Sequence, residues 1–97
     1  MEIERVLELA RAYARELQDW DEDEPPKKNE SPRSREECLA MARDIARKLT
    51  EKVGDRVNES KERMLGFVEA ILWQHGFFTY EEIQEEVIIK KGTQAVT

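Results

Sequence analysis

Apolar residues recur every three or four positions in four separate segments of this 97-residue chain, and this spacing limits the fold more than any other feature. In residues 2–18 the series runs through Val6, Ala10 and Leu17. Side chains three and four positions apart share one face of an α-helix, so each segment predicts an amphipathic helix. We therefore expect an all-α fold, a small bundle of three to four helices, as a single domain covering 1–97.

Capping signals set the limits of the second and fourth helices. Ser34 and Thr79 are each followed three residues later by a glutamate, which is the capping-box pattern of a helix start. We predict helices over residues 35–53 and 80–90. The glycines Gly54 and Gly92 follow these segments and are predicted to stop them.

The third helix is the most apolar segment of the chain. Asn58 is its predicted N-cap, with Val57 as a staple, and Gly76 is its predicted stop. Apolar residues cover more than half of its circumference, so we expect it to be the central helix. Gly66 lies inside it, where glycine costs roughly 1 kcal/mol relative to alanine. Close approach of another helix, from this chain or from a partner, would explain that glycine.

Two terminal features complete the helical prediction. The β-branched residues 87–89 leave a short strand as an alternative to the end of the fourth helix. The tail, residues 93–97, is predicted to be frayed.

Charge is concentrated in a segment that contains all three prolines of the chain. Residues 19–35 hold one large apolar side chain, Trp20, and five acids fall within 19–24. We predict a long, flexible acidic loop after the first helix. Its alternating acids lack the glycine and the final glutamate of a calcium-binding EF-hand, so we expect no metal site there.

Catalytic and metal-ligating patterns are not found in the sequence. Cys38 is the single cysteine and His75 the single histidine, which leaves too few ligands for a structural zinc site. Cys38 lies on an apolar helix face and is predicted to be a small core residue, and His75 is predicted to compensate a helix C-terminus. We expect no catalytic, cofactor-binding or metal residues, although an enzyme that uses Cys38 or His75 remains an alternative.

Charge and hydropathy also bear on partners and location. The net charge of −6, from 22 acids and 16 bases, opposes nonspecific binding to nucleic acid. No apolar run approaches the roughly 18 residues of a membrane span, and no secretory signal is visible. A lone cysteine fits a reducing compartment. We expect a cytoplasmic protein that binds neither membranes nor nucleic acid.

A helix-turn-helix regulator is the alternative function. The third and fourth helices with Gly76 between them have that arrangement. However, the fourth helix carries four glutamates between residues 81 and 86, against Lys90 and Lys91. These carboxylates would repel a polyanion, which argues against DNA recognition.

Aromatic residues cluster at the end of the third helix and in the turn that follows. The sequence leaves open whether they form the core or an exposed interface, where aromatic side chains are typical anchors. We predict a noncatalytic protein-interaction module that binds a protein partner or self-associates. Its candidate interface residues are Phe67, Trp73, Phe77, Phe78 and Tyr80.

A resemblance gives this prediction a more specific form. The segments that carry it are Glu62-Arg63-Met64-Leu65, Val68-Glu69-Ala70-Ile71-Leu72, Gly76 and Thr79-Tyr80-Glu81-Glu82-Ile83. Together they are similar to the helical N-terminal region of the nitrile hydratase β-subunit and its related accessory (activator) proteins. The resemblance implies a small accessory or β-type subunit that supports a metal-containing catalytic partner.

The chain departs from that family at several positions. Ser60, Lys61 and Met64 stand where the family has an aromatic pair and a tryptophan. Its arginine segment has no counterpart here, since Arg43 and Arg47 flank Ile45 in a different order. No functional residue is therefore carried over from the family.

Overall fold

The computed structural model describes residues 3–27, 29–51 and 59–94, and over these ranges the chain is helical without a strand. The predicted all-α fold is confirmed. The helices in chain order are α1 (Ile3–Glu16), α2 (Arg35–Glu51), α3 (Glu59–Gln74), α4 (Tyr80–Gln84) and α5 (Val87–Gln94).

The core lies between α1, α2 and α3, and α1 contacts α2, α3 and α5. Val6, Leu9 and Tyr13 form one almost fully buried stripe along α1. The apolar residues of α3 lie on two opposite faces, and its neighbours in the described chain cover one of them. The expectation that the third helix is central is therefore wrong.

The start of α2 follows the predicted capping chemistry with one change. Ser34 Oγ accepts a hydrogen bond from the Glu37 amide at 3.1 Å, as a capping box requires. The Glu37 carboxylate reaches back one residue further than expected and accepts from the Arg33 amide at 3.1 Å. The predicted end of this helix, with Gly54, Val57 and Asn58, lies outside the described residues.

The first part of the predicted 19–35 loop packs against the helices. Its first two residues lie in a 3-10 turn, Gln18–Trp20. The Trp20 ring meets the Phe77 ring edge-on at 5.5 Å, and the Arg35 guanidinium lies 5.8 Å from both rings. Residues 21–27 and 29–34 contain no helix.

Asp21, the residue after Trp20, forms an ion pair with the buried Arg43. Arg43 of α2 is 7% exposed, and its Nη1 donates to Asp21 Oδ1 at 2.6 Å. Arg47 donates to the same oxygen at 3.4 Å. Because a buried charge needs a partner, this pair fixes the point at which the loop leaves α1.

The fourth predicted helix is wrong in its extent, since it is broken into two. The chain turns at Glu85 and Glu86, and Glu86 has a φ of +55°. A left-handed conformation costs a non-glycine residue roughly 1–2 kcal/mol. Glu86 forms an ion pair with Arg5 of α1, and Ile88 beyond the break is 6% exposed. These long-range contacts offset the local cost.

The end of the chain is more helical than the sequence predicts. Residues 87–89 belong to α5, so the strand alternative is wrong. Gly92 does not stop this helix, because α5 continues to Gln94 and packs against α1. Residues 93 and 94, predicted to be frayed, lie within α5, and 95–97 lie outside the described residues.

Candidate protein-interaction surface

One face of α3 carries apolar residues that the described chain leaves exposed. Phe67 is 42% exposed and Trp73 is 56% exposed, and Gly66 and Ala70 lie in the same exposed stripe. These positions are spaced by three or four residues, so they share one side of the helix. The opposite side supplies Leu65, Val68 and Leu72 to the core.

A glycine turn brings α4 alongside this stripe. Gly76 has a φ of +79°, and the Phe77 amide donates to the Leu72 carbonyl at 2.9 Å across the end of α3. This is the Schellman arrangement, which favours glycine because its left-handed backbone penalises a Cβ. The predicted helix stop at Gly76 is confirmed.

The start of α4 is fixed by the predicted capping box. Thr79 Oγ1 accepts from the Glu82 amide at 3.1 Å, and Glu82 Oε1 accepts from the Thr79 amide at 2.9 Å. Both reciprocal bonds are therefore present. They fix the direction of α4, which begins at Tyr80, a residue that is 67% exposed.

The two helices enclose an open groove with a volume of about 440 Å³, lined mostly by apolar atoms. We define the outer face of α3 and α4 as five residues of the groove and one exposed neighbour on α3. The groove residues are Gly66, Ala70, Trp73, Tyr80 and Ile83, and the neighbour is Phe67. Arg63 is exposed at the end of the same stripe that lies nearer the start of α3.

Glu69 is the carboxylate that lines this groove. Its Oε2 accepts a hydrogen bond from the buried Tyr13 hydroxyl at 2.7 Å. Burial raises the pKa of the Glu69 carboxyl, the Tyr13 hydrogen bond opposes that shift, and the charge of Glu86 adds to it. Burial, the hydrogen bond to Glu69 and the charges of Glu69 and Glu86 all raise the pKa of the Tyr13 hydroxyl. The phenol therefore stays protonated and remains the hydrogen-bond donor.

The five predicted interface residues divide into two groups. Phe67, Trp73 and Tyr80 are exposed on the outer face. Phe78 is 7% exposed and lies in the core, where its ring meets Tyr13 edge-on at 6.4 Å. Phe77 is half-buried against Trp20. The turn at Gly76 directs the two phenylalanines inward.

Sequence reasoning missed three residues of the groove. Ile83 is half-buried against the core and also lines the groove. Ala70 follows Gly66 by four residues, and that spacing of small residues was a usable signal. Glu69 gave no such signal, because its partner Tyr13 lies 56 positions away.

The surroundings of Gly66 bear on why a glycine lies inside α3. A Cβ at this position would meet nothing within 4 Å. No part of the described chain therefore approaches Gly66 closely. Of the two explanations given by the sequence, close approach by another part of the described chain is excluded.

Cys38 and His75 are the two residues that the sequence offered for nucleophilic chemistry. Cys38 is half-buried beside the core, and burial raises the pKa of its thiol, which lowers the fraction of reactive thiolate. His75 follows the end of α3, and its amide donates to the Ile71 carbonyl at 3.0 Å. The described residues contain no group of three or more His, Cys, Asp or Glu placed to hold a metal ion.

Comparisons with known proteins found no matching family model, no similar curated protein and no similar solved structure. Within the described ranges, no helix combines the length and apolarity that crossing a membrane requires.

Proposed function

We propose that this protein is a noncatalytic interaction module that binds another protein chain through the outer face of α3 and α4. The observation that carries the proposal is the exposure of three aromatic residues on the outer face. Trp73 and Tyr80 line one apolar groove, and Phe67 is exposed beside Gly66 on the same side of α3. Aromatic rings are costly to leave in water and are the commonest energetic anchors of protein interfaces.

The size of the exposed surface supports this role. An aromatic side chain offers about 150–250 Å² of surface, so the exposed fractions of the three rings amount to roughly 350 Å². The largest apolar patch on a typical monomer has about this size and is often functional. Single exposed apolar residues would need no such explanation, but Trp73 and Tyr80 line one groove, and Phe67 is exposed on the same side of α3.

The more specific form of the proposal is an accessory or β-type subunit. The similarity of α3 and α4 to the helical region of the nitrile hydratase β-subunit and its accessory proteins favours this form. Such a subunit would support a metal-containing catalytic partner without holding the metal itself. This role and a cytoplasmic location stay predictions.

The helix-turn-helix alternative is less well supported by the geometry. A recognition helix must lie along the major groove and present several side chains to base edges. Here α4 comprises five residues, and its exposed Glu81 lies next to the exposed Tyr80. A carboxylate at this place would oppose contact with phosphates.

Affinity purification from the native cell tests the proposal. We expect the tagged wild-type protein to co-purify in stoichiometric amount with a protein chain, either another protein or an untagged second copy. Trp73→Gln should lose that chain, because it removes the largest ring of the outer face. Arg11→Gln, at an exposed position on α1, is the matched control and should retain it.

Two results would argue against the proposal. One is purification of the wild-type protein as a monomer with no stoichiometric chain. The other is a complex that survives Trp73→Gln unchanged, because its interface would then lie elsewhere.

A further inference from the structure

We propose that the chain which covers the outer face is a second copy of this protein, with the two α3 helices antiparallel and crossing between Gly66 and Ala70. This inference rests on the proposed function and names the partner of the same surface. In a two-fold pair, residue i of one copy meets residue j of the other, and j meets i. The outer face of α3 has a residue pattern that satisfies this condition.

The small residues lie where the two helices would cross. In an antiparallel pair centred between them, Gly66 of each copy lies opposite Ala70 of the other. Both residues are exposed, and a Cβ at Gly66 would have open space around it. The distance between the axes of packed helices is 8–10 Å and depends on the side chains at the contact, so small residues allow the closest approach. The vacant space beside Gly66 is where the second helix would lie.

The charged and aromatic residues at the two ends of the stripe complement one another. The same register brings Arg63 of one copy opposite Trp73 of the other, within one helical turn of Glu69. A guanidinium binds favourably over an indole face and beside a carboxylate. Arg63 is exposed, and Glu69 is the carboxylate of the groove. Two such contacts form, one at each end of the crossing.

The area available is compatible with a specific dimer of modest affinity. The exposed aromatic surface of two copies is roughly 700 Å², more than half of the ~1,200 Å² that small stable interfaces bury. Gly66, Ala70 and Ile83 add apolar surface between the rings. Against this, each copy carries a charge of −6, which opposes association. We therefore expect a dimer with a micromolar dissociation constant that strengthens with added salt.

Sedimentation equilibrium of the full chain, from about 1 µM to about 1 mM, tests the inference. The wild type should pass from monomer to dimer across this range. Gly66→Leu should remain monomeric, because the added side chain fills the crossing point. At concentrations where the wild type is monomeric, its helix content and Tm should not fall, since Gly66 is exposed, its Cβ position is open and leucine favours the helix over glycine. If Gly66→Leu does not fold, Ala70→Glu takes its place, with the same expected loss of the dimer.

Charge variants test the orientation of the two copies. Arg63→Glu should raise the dissociation constant at least tenfold, because it places a carboxylate against Trp73 and Glu69 of the second copy. Arg11→Glu changes the net charge by the same amount away from the outer face, so it measures the contribution of general repulsion. An equal effect of both variants would overturn the antiparallel arrangement.

The outcomes separate this inference from the proposed function. A wild type that stays monomeric at the highest concentration overturns self-association. If that monomer still co-purifies with a different protein through Trp73, the proposed function stands and the second copy is excluded. A dimer that Gly66→Leu, or its replacement Ala70→Glu, leaves intact overturns the proposed interface.

Discussion

The two sides of α3 are both apolar, yet they meet different surroundings. On the inner side Leu65, Val68 and Leu72 are at most 1% exposed, between α1 and α2. On the outer side Phe67 is 42% exposed and Trp73 is 56% exposed. The contrast shows that α3 carries more apolar surface than three packed helices cover. The inner side stabilises the fold, and the outer side remains available for binding.

Truncation of one residue on each side of α3 should have the largest and most unequal effects on the free energy of unfolding. Leu72→Ala should lower the free energy of unfolding by about 2–5 kcal/mol, since it opens a cavity in the core. Trp73→Ala, one position further on, should lower it by about 1 kcal/mol or less at a concentration where the protein is monomeric. Urea denaturation measures both values. Equal losses would show that the outer side also supports the fold.

The two tyrosines near the groove offer a second comparison. Tyr13→Phe should lower the free energy of unfolding by about 1–3 kcal/mol, because the partly buried Glu69 carboxylate loses its hydrogen-bond donor. Tyr80→Phe removes an exposed hydroxyl and should change it by about 0.5 kcal/mol or less. Denaturation of both variants at pH 7 checks this order. The reverse order would mean that Tyr80 holds the groove in place.

Alanine at two glycines should shift stability in opposite directions. Gly66→Ala should raise the free energy of unfolding of the monomer by about 0.5–1 kcal/mol, because alanine favours the helix and its Cβ meets no atom within 4 Å. Gly76→Ala should lower it by about 1 kcal/mol, because that backbone is left-handed. Thermal melts of both variants measure these shifts. A loss of stability in Gly66→Ala would reveal a close neighbour within the same chain.

The smallest expected effect is a pH dependence that belongs to Glu69. Burial raises the pKa of this carboxyl above its ordinary value near 4.5, so the folded protein binds the proton more readily than the unfolded chain. Stability contributed by this proton is present below the unfolded value and is lost as pH rises through the folded pKa. Glu69→Gln does not titrate and keeps an acceptor for Tyr13.

Urea denaturation of wild type and Glu69→Gln at several pH values measures this dependence. The free energy of unfolding of Glu69→Gln minus that of wild type should increase as pH rises through the window above 4.5, and then level off. A difference that decreases as pH rises toward 4.5 and is flat above it would show that the Tyr13 hydrogen bond outweighs burial and lowers the folded pKa of Glu69.

Local sequence signals predicted most of the helical structure. The apolar spacing in α1, α2 and α3 and the capping box at Thr79 depend on residues within a few positions of each other. Such signals act before the chain is packed, so they can be read from the sequence. The break at Glu86 cannot, since it depends on Arg5 and on the burial of Ile88.

The candidate surface was predicted only in part, for a related reason. The aromatic cluster was visible in the sequence, but its division was not. Phe78 and Tyr80 are two residues apart, and one is 7% exposed while the other is 67% exposed. That difference arises from the direction of the chain after Gly76, which is fixed by packing of the turn against α1 through Phe78 and Tyr13. Spacing along the sequence does not contain this information.

Quenching of Trp73 fluorescence by acrylamide tests the central claim most directly. In Trp20→Phe, Trp73 is the single indole, and the ring at position 20 is retained against Phe77. We predict ready quenching when the protein is dilute and a several-fold lower quenching constant when it is concentrated enough to assemble. The same high quenching constant at every concentration, and in the complex purified from cells, would contradict the claim that another chain covers the outer face.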